Sequence, residues 1–231
     1  MAIAGILFDK DGTLLDFNAT WVPMNRAAAN VVAKGNKALL ADLLRRGGQD
    51  EATGIVAADS LLATANSEEI AAEWTRLVPD HGVNDLKATL DAVFEKEGAR
   101  CAVPVPGLCD TIAEMKTRGL KLGLATSDSQ NGAYASLAHF EVLDQFDFIA
   151  GYDSGFGHKP QPGMVHGFCK RTGLSANQVM VVGDNHHDLE MGRAAGAALC
   201  VGVLTGTGTR RHLSGLADHV INSIVDLDEL L

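Results

Sequence analysis

The chain is short of basic residues. Nineteen lysines and arginines face 29 aspartates and glutamates, for a formal net charge of -10 at pH 7. Nucleic acid and anionic membranes both require a basic surface, so neither is expected as a partner. The deficit still leaves room for a local cationic pocket around a small phosphate. Cysteine is scarce as well. Cys101, Cys109, Cys169 and Cys200 form no C-x-x-C pair and read as reduced, mostly core thiols rather than zinc ligands or a disulfide framework. No apolar run approaches the ~20 residues that span a bilayer. The apolar start lacks a cationic flank and is interrupted at Asp9 and Asp11, unlike a secretory leader. No internal repeat or low-complexity tract is visible. These absences point to a soluble, reducing compartment, the cytoplasm. With 231 residues, 46% of them hydrophobic, the chain can build one large domain, or a medium domain plus a smaller one.

The most informative stretch is Ile6-Leu7-Phe8-Asp9-Lys10-Asp11-Gly12-Thr13-Leu14. An apolar run from Ile3 to Phe8 stops at two carboxylates spaced two apart, followed by glycine. A short apolar run closed by a turn signal reads as a buried strand of a parallel sheet. Residues two apart in an extended chain share a side, so Asp9 and Asp11 can face one site. Gly12 lets the backbone turn sharply and approach a ligand closely. Ligands of open α/β sheets bind beyond the carboxyl ends of strands, where this pair sits. Two close carboxylates both stay ionised only beside a cation, and oxygen ligands favour a hard one such as Mg²⁺. One carboxylate can then serve as a nucleophile and the other as an acid/base. The plain alternative is an Asp-Gly turn after a strand.

From Asp16 to about Gly98 no strand is evident. Alanine- and leucine-rich amphipathic segments at 25–33, 37–46, 55–65, 67–77 and 84–97 predict a small all-helical domain. Ser67-Glu68-Glu69 has the character of a helix start. Arg45 and Arg46 could meet an anionic substrate, but read better as a solvated helix C-terminus. From Pro104 onwards strand and helix alternate. Strands are expected at 120–125, 146–150, 179–182, 199–203 and 219–221, and helices at 108–118, 131–140, 164–171, 189–195 and 225–231. Alternation of this kind implies an α/β fold, a Rossmann-like doubly wound parallel sheet covered by helices on both faces. The opening strand belongs with this half. The predicted organisation is a core domain of residues 1–15 and 99–231, with residues 16–98 inserted as the helical domain.

Three further strand ends carry polar groups. The strand at 120–125 runs into Thr126-Ser127-Asp128-Ser129, whose hydroxyls and free N–H groups before a helix make a phosphate seat or a plain helix cap. The loop after Ala150 holds Lys159 between glycine-bearing and proline-bearing segments, where a fixed ammonium can neutralise phosphate oxygens. His158 beside it reads at most as a substrate-side neighbour. The strand at 179–182 ends in Gly183-Asp184-Asn185-His186-His187-Asp188. Asp184 stands at the strand tip and can complete a cation site with Asp9, while Asp188 falls near the next helix start. The two histidines suggest zinc, but adjacent residues rarely aim at one ion, and acids with a lysine favour magnesium.

The set resembles the haloacid dehalogenase superfamily, most closely its phosphoglycolate phosphatase-like members. Asp9-Lys10-Asp11-Gly12-Thr13 is similar to the D-x-D-G-T motif, Thr126 to the hydroxyl that closes the second motif strand, Lys159-Pro160-Gln161-Pro162 to the third motif, and Gly183 through Asp188 to G-D-x-x-x-D. The likeness covers the whole chain, with the helical insertion in the place of a cap domain. It implies that Asp9 attacks phosphorus to form an aspartyl-phosphate and that Asp11 acts as acid and then base. It implies that Asp9, the Asp11 backbone carbonyl and Asp184 hold Mg²⁺, with Asp188 in or near the shell behind them. Gly12, Thr126, Ser127 and Lys159 would contact the phosphoryl group. Ser127 stands where many relatives have asparagine, and Lys10 fills a variable position.

The expected activity is therefore that of a Mg²⁺-dependent phosphomonoesterase for a small phosphorylated metabolite, phosphoglycolate-like or a sugar phosphate. The rivals are a sugar phosphomutase of the same superfamily and a non-catalytic phosphometabolite-binding protein. Asp11 argues against a haloalkanoate dehalogenase, which needs no acid at that position. Asp16, Asn18 and Trp21 are candidates for the site entrance, or else pack the hinge. Both a monomer and a homodimer are compatible with the sequence.

Overall fold

The structure, a computed structural model, describes residues 3–231. Six parallel strands form one sheet: β1 (Gly5–Phe8), β2 (Lys121–Ala125), β3 (Phe148–Ala150), β4 (Val179–Gly183), β5 (Leu199–Val203) and β6 (His219–Ile221), in the order β3-β2-β1-β4-β5-β6. This is the doubly wound α/β arrangement, and the order reverses at β1 and β4. Register ties the site together, because Phe8 is paired with both Leu124 and Val182. The residues that follow these three strands therefore emerge at one level, on the carboxyl edge of the sheet.

Side-chain alternation along β1 feeds both faces. Ile6 and Phe8 join a core with Ile112, Leu137 and Met180, whereas Leu7 points into a second core with Val165, Phe168 and Met191. The covering helices are α6 (Leu108–Thr117), α7 (Gln130–Leu137), α8 (Gly163–Thr172), α9 (His186–Ala195) and the short α10 (Arg210–Leu213).

Between β1 and α6 lie five helices: α1 (Phe17–Ala33), α2 (Lys37–Arg46), α3 (Leu61–Thr64), α4 (Ser67–Leu77) and α5 (Leu86–Cys101). They surround their own apolar centre, built on Trp21, Met24, Leu43, Trp74, Leu90 and Phe94. Helix α5 leans on α7 at Gly98. A Cβ there would stand 2.6 Å from Ser136 Oγ, so the glycine allows the close approach.

Several boundaries differ from the sequence reading, each for a local reason. The first helix starts at Phe17 rather than 25, since Asp16 caps it by accepting from the Ala19 N–H at 2.9 Å. It runs through Pro23, losing one ladder bond, because Phe17, Thr20, Trp21 and Met24 are buried on one face. The segment at 55–65 is helical only over α3. Asp50 Oδ1 accepts from the N–H groups of Ala52 and Thr53, and Asp59 is left-handed at φ 60°, which keeps the preceding chain in turns. Helix α4 keeps the expected bounds, Ser67–Leu77, but its cap is Asn66, in a capping box with Glu69, rather than Ser67. Helix α5 extends past 97 to Cys101. Helix α9 begins at His186 because Asn185 and Asp188 form its capping box. The last helical stretch, Ile224–Leu230, is a 3₁₀ helix. Only Cys200 of the four cysteines is buried and Cys109 is exposed, so the thiols are not mostly core.

Candidate active site

The polar loops meet above the reversal point of the sheet. Asp9 follows β1 directly, its N–H donating to the Val182 carbonyl at 2.8 Å, which carries the pairing one residue beyond the strand. Lys159, from the loop between β3 and α8, places Nζ 2.6 Å from Asp9 Oδ1 and 2.6 Å from Asp188 Oδ1. Burial disfavours its charge, but Asp188 and Asp9 outweigh burial and hold the ammonium above its ordinary pKa.

Asp184 follows β4. Its Oδ2 accepts from the Thr207 N–H at 2.7 Å. Asp188 Oδ2 accepts from the Asn185 N–H at 3.0 Å, so its place is set by the start of α9. Gly12 has φ +92°, and a Cβ on it would stand 2.6 Å from the Asp184 carboxylate. The Thr205 hydroxyl fixes the same turn by donating to the Gly12 carbonyl at 2.6 Å. Thr126, fully buried after β2, accepts at Oγ1 from the Asp128 N–H at 3.1 Å. Ser127 lines the same cavity as Asp9, Asp11, Thr126, Lys159 and Asp184.

The site holds more negative charge than its lysine offsets. Asp9, Asp184 and Asp188 bring carboxylate oxygens within 4.8 Å of one another. Burial, followed by neighbouring carboxylates, pushes Asp184 well above the usual carboxylate range. Asp9 is raised for the same reasons, with Lys159 pulling against burial. Asp9 Oδ2 is buried with no hydrogen-bond partner. An orphaned carboxylate oxygen among three buried acids fits a hard divalent cation bound through oxygen.

The side chain after Asp9 was open in the sequence and is placed by the structure. Lys10 is completely buried, 2.9 Å from Asp11 and 3.1 Å from Asp128. Its Nζ also lies 5.6 Å from the ring centroid of Trp21. Trp21 lines the cavity, whereas Asp16 is the α1 cap and Asn18 is exposed. Arg45 and Arg46 pair with Asp42 on the surface. His158 sits against Tyr152, with ring centroids 6.2 Å apart.

The adjacent histidines come closer than expected. His186, His187 and Glu190 bring donor atoms within 4.8 Å of one another, and His186 Nδ1 lies 2.6 Å from Asp59.

The loop after β5 escaped the sequence reading. Its Thr205-Gly206-Thr207 run past an apolar strand was the available signal, of the same kind as the other strand ends. A second set of residues also escaped it: Phe17, Leu62, Ile70 and Phe94, which form the upper wall of the cavity with Trp21.

This geometry belongs to a known class. Residues 6–201 match the family model for haloacid dehalogenase-like hydrolases, and the chain belongs to that family. Among relatives, it is 28% identical over 211 residues to a phosphoglycolate phosphatase of Yersinia pseudotuberculosis, covering 89% of this chain and 82% of that protein. In fold it resembles a predicted phosphoglycolate phosphatase from Haemophilus somnus, with a TM-score of 0.74, 18% identity, and coverage of 99% and 97% of the two chains. It also resembles CbbY from Rhodobacter sphaeroides, solved in complex with phosphate, with a TM-score of 0.70, 22% identity, and coverage of 97% and 96%. The chain thus stands among the hydrolases of this family, beside relatives named phosphoglycolate phosphatase. Among the described residues, no helix is long and apolar enough to cross a membrane.

Proposed function

We propose that the protein is a phosphomonoesterase for a small phosphorylated metabolite, working through an aspartyl-phosphate on Asp9. The observation that carries this reading is the Asp9–Lys159–Asp188 arrangement, a buried carboxylate with one oxygen held by an ammonium and the other unpartnered. The lysine takes charge from the attacking carboxylate and fixes its direction. The unpartnered oxygen suits a cation.

In this reading Asp9 attacks phosphorus in line with the leaving oxygen. Asp11 gives its proton to the leaving alcohol and afterwards takes one from the attacking water. Thr126 and Ser127 donate to the phosphoryl oxygens, Lys159 neutralises charge on them, and Gly12 lets the backbone come close. Asp9, Asp184 and the Asp11 backbone carbonyl would hold Mg²⁺, with Asp188 supporting from behind. A bound Mg²⁺ supplies charge neutralisation for the phosphoryl oxygens and for the carboxylates around them. Residues 16–98 act as a cap over the core of residues 1–15 and 99–231. A cavity lined by both the helices and the loops of the sheet favours a metabolite over a protein substrate, and closure of the helices over it would keep water from the nucleophile.

The test is phosphate release from a panel of phosphometabolites, with Mg²⁺ and with chelator, beside Asp9→Asn. Release that needs both the metal and Asp9 supports the proposal. Interconversion of sugar phosphates without net release would favour a mutase instead. Undiminished release by Asp9→Asn would exclude the covalent route.

A further inference from the structure

The cavity has two unlike halves. The sheet side carries five carboxylates, Asp9, Asp11, Asp128, Asp184 and Asp188, and one ammonium, Lys159. The helical side carries no charge. Its wall is Phe17, Trp21, Leu62, Ile70 and Phe94, with the small side chains of Thr64 and Ser67.

The cations of the helical segment are all committed elsewhere or lie off the cavity. Arg26 pairs with Glu51, Arg45 and Arg46 with Asp42, Arg76 with Glu73, Lys87 with Asp91, and Arg100 with Glu97. Lys37 lines a different surface depression, the Lys34 ammonium lies by Gly82, and Lys96 is not among the lining residues. His187, the one imidazole at the cavity, stands on the sheet side against the ring of His186.

A phosphoryl group on the sheet side engages Lys159, which is already shared between Asp9 and Asp188. Anything beyond the ester oxygen must lie against the helical wall. A carboxylate or second phosphate placed there would lose its hydration and meet no cation. It would also face five acids that Lys159, the buried Lys10 and one divalent ion leave one charge short of neutral. An uncharged group with apolar surface would lose little, and its oxygens could use the Thr64 and Ser67 hydroxyls.

We infer that the substrate is a monophosphate ester of an uncharged alcohol with an apolar face. Phosphoglycolate itself, and bisphosphates, are rejected by the cap. This inference rests on the phosphomonoesterase reading and narrows it, against the names of the relatives.

The test compares phosphoglycolate with phosphoglycolamide, an ester of nearly the same size in which an uncharged amide replaces the carboxylate, beside p-nitrophenyl phosphate, all with Mg²⁺. Expected is a kcat/KM at least a hundredfold higher for the amide. Leu62→Arg, which places a cation on the wall, should narrow that ratio at least tenfold by raising the phosphoglycolate value. Equal or faster turnover of phosphoglycolate by the unaltered protein overturns the inference. Calorimetric titration of the same pair into Asp9→Asn reads affinity without turnover, and tighter binding of phosphoglycolate there also overturns it. If no ester is hydrolysed, p-nitrophenyl phosphate included, the phosphomonoesterase reading fails, and the titration alone decides the charge preference.

Discussion

Lys10 Nζ lies 2.9 Å from Asp11 and 3.1 Å from Asp128, so a completely buried ammonium stands between the residue proposed as acid/base and an acid from the loop after β2. Burial opposes its charge, but the two carboxylates more than offset this and raise its pKa above the ordinary lysine value. Breaking such a pair leaves buried charge uncompensated, at a cost of about 3–5 kcal/mol. Lys10→Met should lower the unfolding free energy by that order in urea titration. Adding Asp128→Asn to it should restore part of the loss, because one of the stranded acids is removed. The single variant should also lose more turnover on alkyl phosphates, which need a proton delivered to the leaving oxygen, than on p-nitrophenyl phosphate.

The crowding of Asp9, Asp184 and Asp188 around one lysine costs stability in the absence of a cation. Asp9→Asn removes one of these charges. Without metal, the variant should melt at a higher temperature than the unaltered protein. Mg²⁺ should raise the melting temperature of the unaltered protein and raise that of Asp9→Asn less. Differential scanning calorimetry with Mg²⁺ and with chelator gives both comparisons. A variant that melts lower in chelator would mean that Asp9 holds the fold together.

In the proposed reaction Lys159 would be worth most in the transition state, where it would meet charge on the transferring group. Lys159→Ala should lower kcat on the order of a hundredfold or more. A steady-state assay with the best substrate measures it, and a change within a factor of two would remove Lys159 from the proposed machinery.

How much of this could be read beforehand varies with the range of the interaction. The strands β5 and β6, and helix α2, fall where hydrophobic periodicity puts them, since they answer to local pattern alone. The meeting of Asp9, Thr126 and Asp184 was legible because each directly follows a strand end and parallel pairing brings strand ends together, and Lys159 joins them from the loop after β3. Lys10 was not, because its partner Asp128 is 118 residues away and lysine is ordinarily exposed. The start of α1 was hidden by Pro23, whose local preference yields to burial of Trp21 and Met24. Phe17, Leu62, Ile70 and Phe94 read as core residues in any helix, and only tertiary packing turns them toward a cavity.

Gly12 tests the geometry of the first turn. At φ +92° a side chain is strained in itself, and a Cβ would also press on the Asp184 carboxylate at 2.6 Å. Gly12→Ala should destabilise the fold by about 1–3 kcal/mol. It should also weaken Mg²⁺ activation, because Asp184 must move. Urea unfolding and an activity titration against Mg²⁺ read these two effects separately.

Asp147 offers a pH test far from the site. Burial works against its charge, but Lys116 at 2.9 Å, the Leu122 N–H at 3.0 Å and Lys121 at 3.4 Å hold its carboxyl below the usual range. A carboxyl whose pKa is lower in the folded than in the unfolded state contributes stability above the unfolded value of about 3.9. That contribution fades as the pH falls through the lower folded value. Asp147→Asn should therefore be less stable than the unaltered protein at pH 7, and the gap should close below about pH 4. Urea midpoints at pH 7 and pH 3 measure it. A gap of the same size at both pH values would show that Asp147 acts through its hydrogen bond to the start of β2 rather than through its charge.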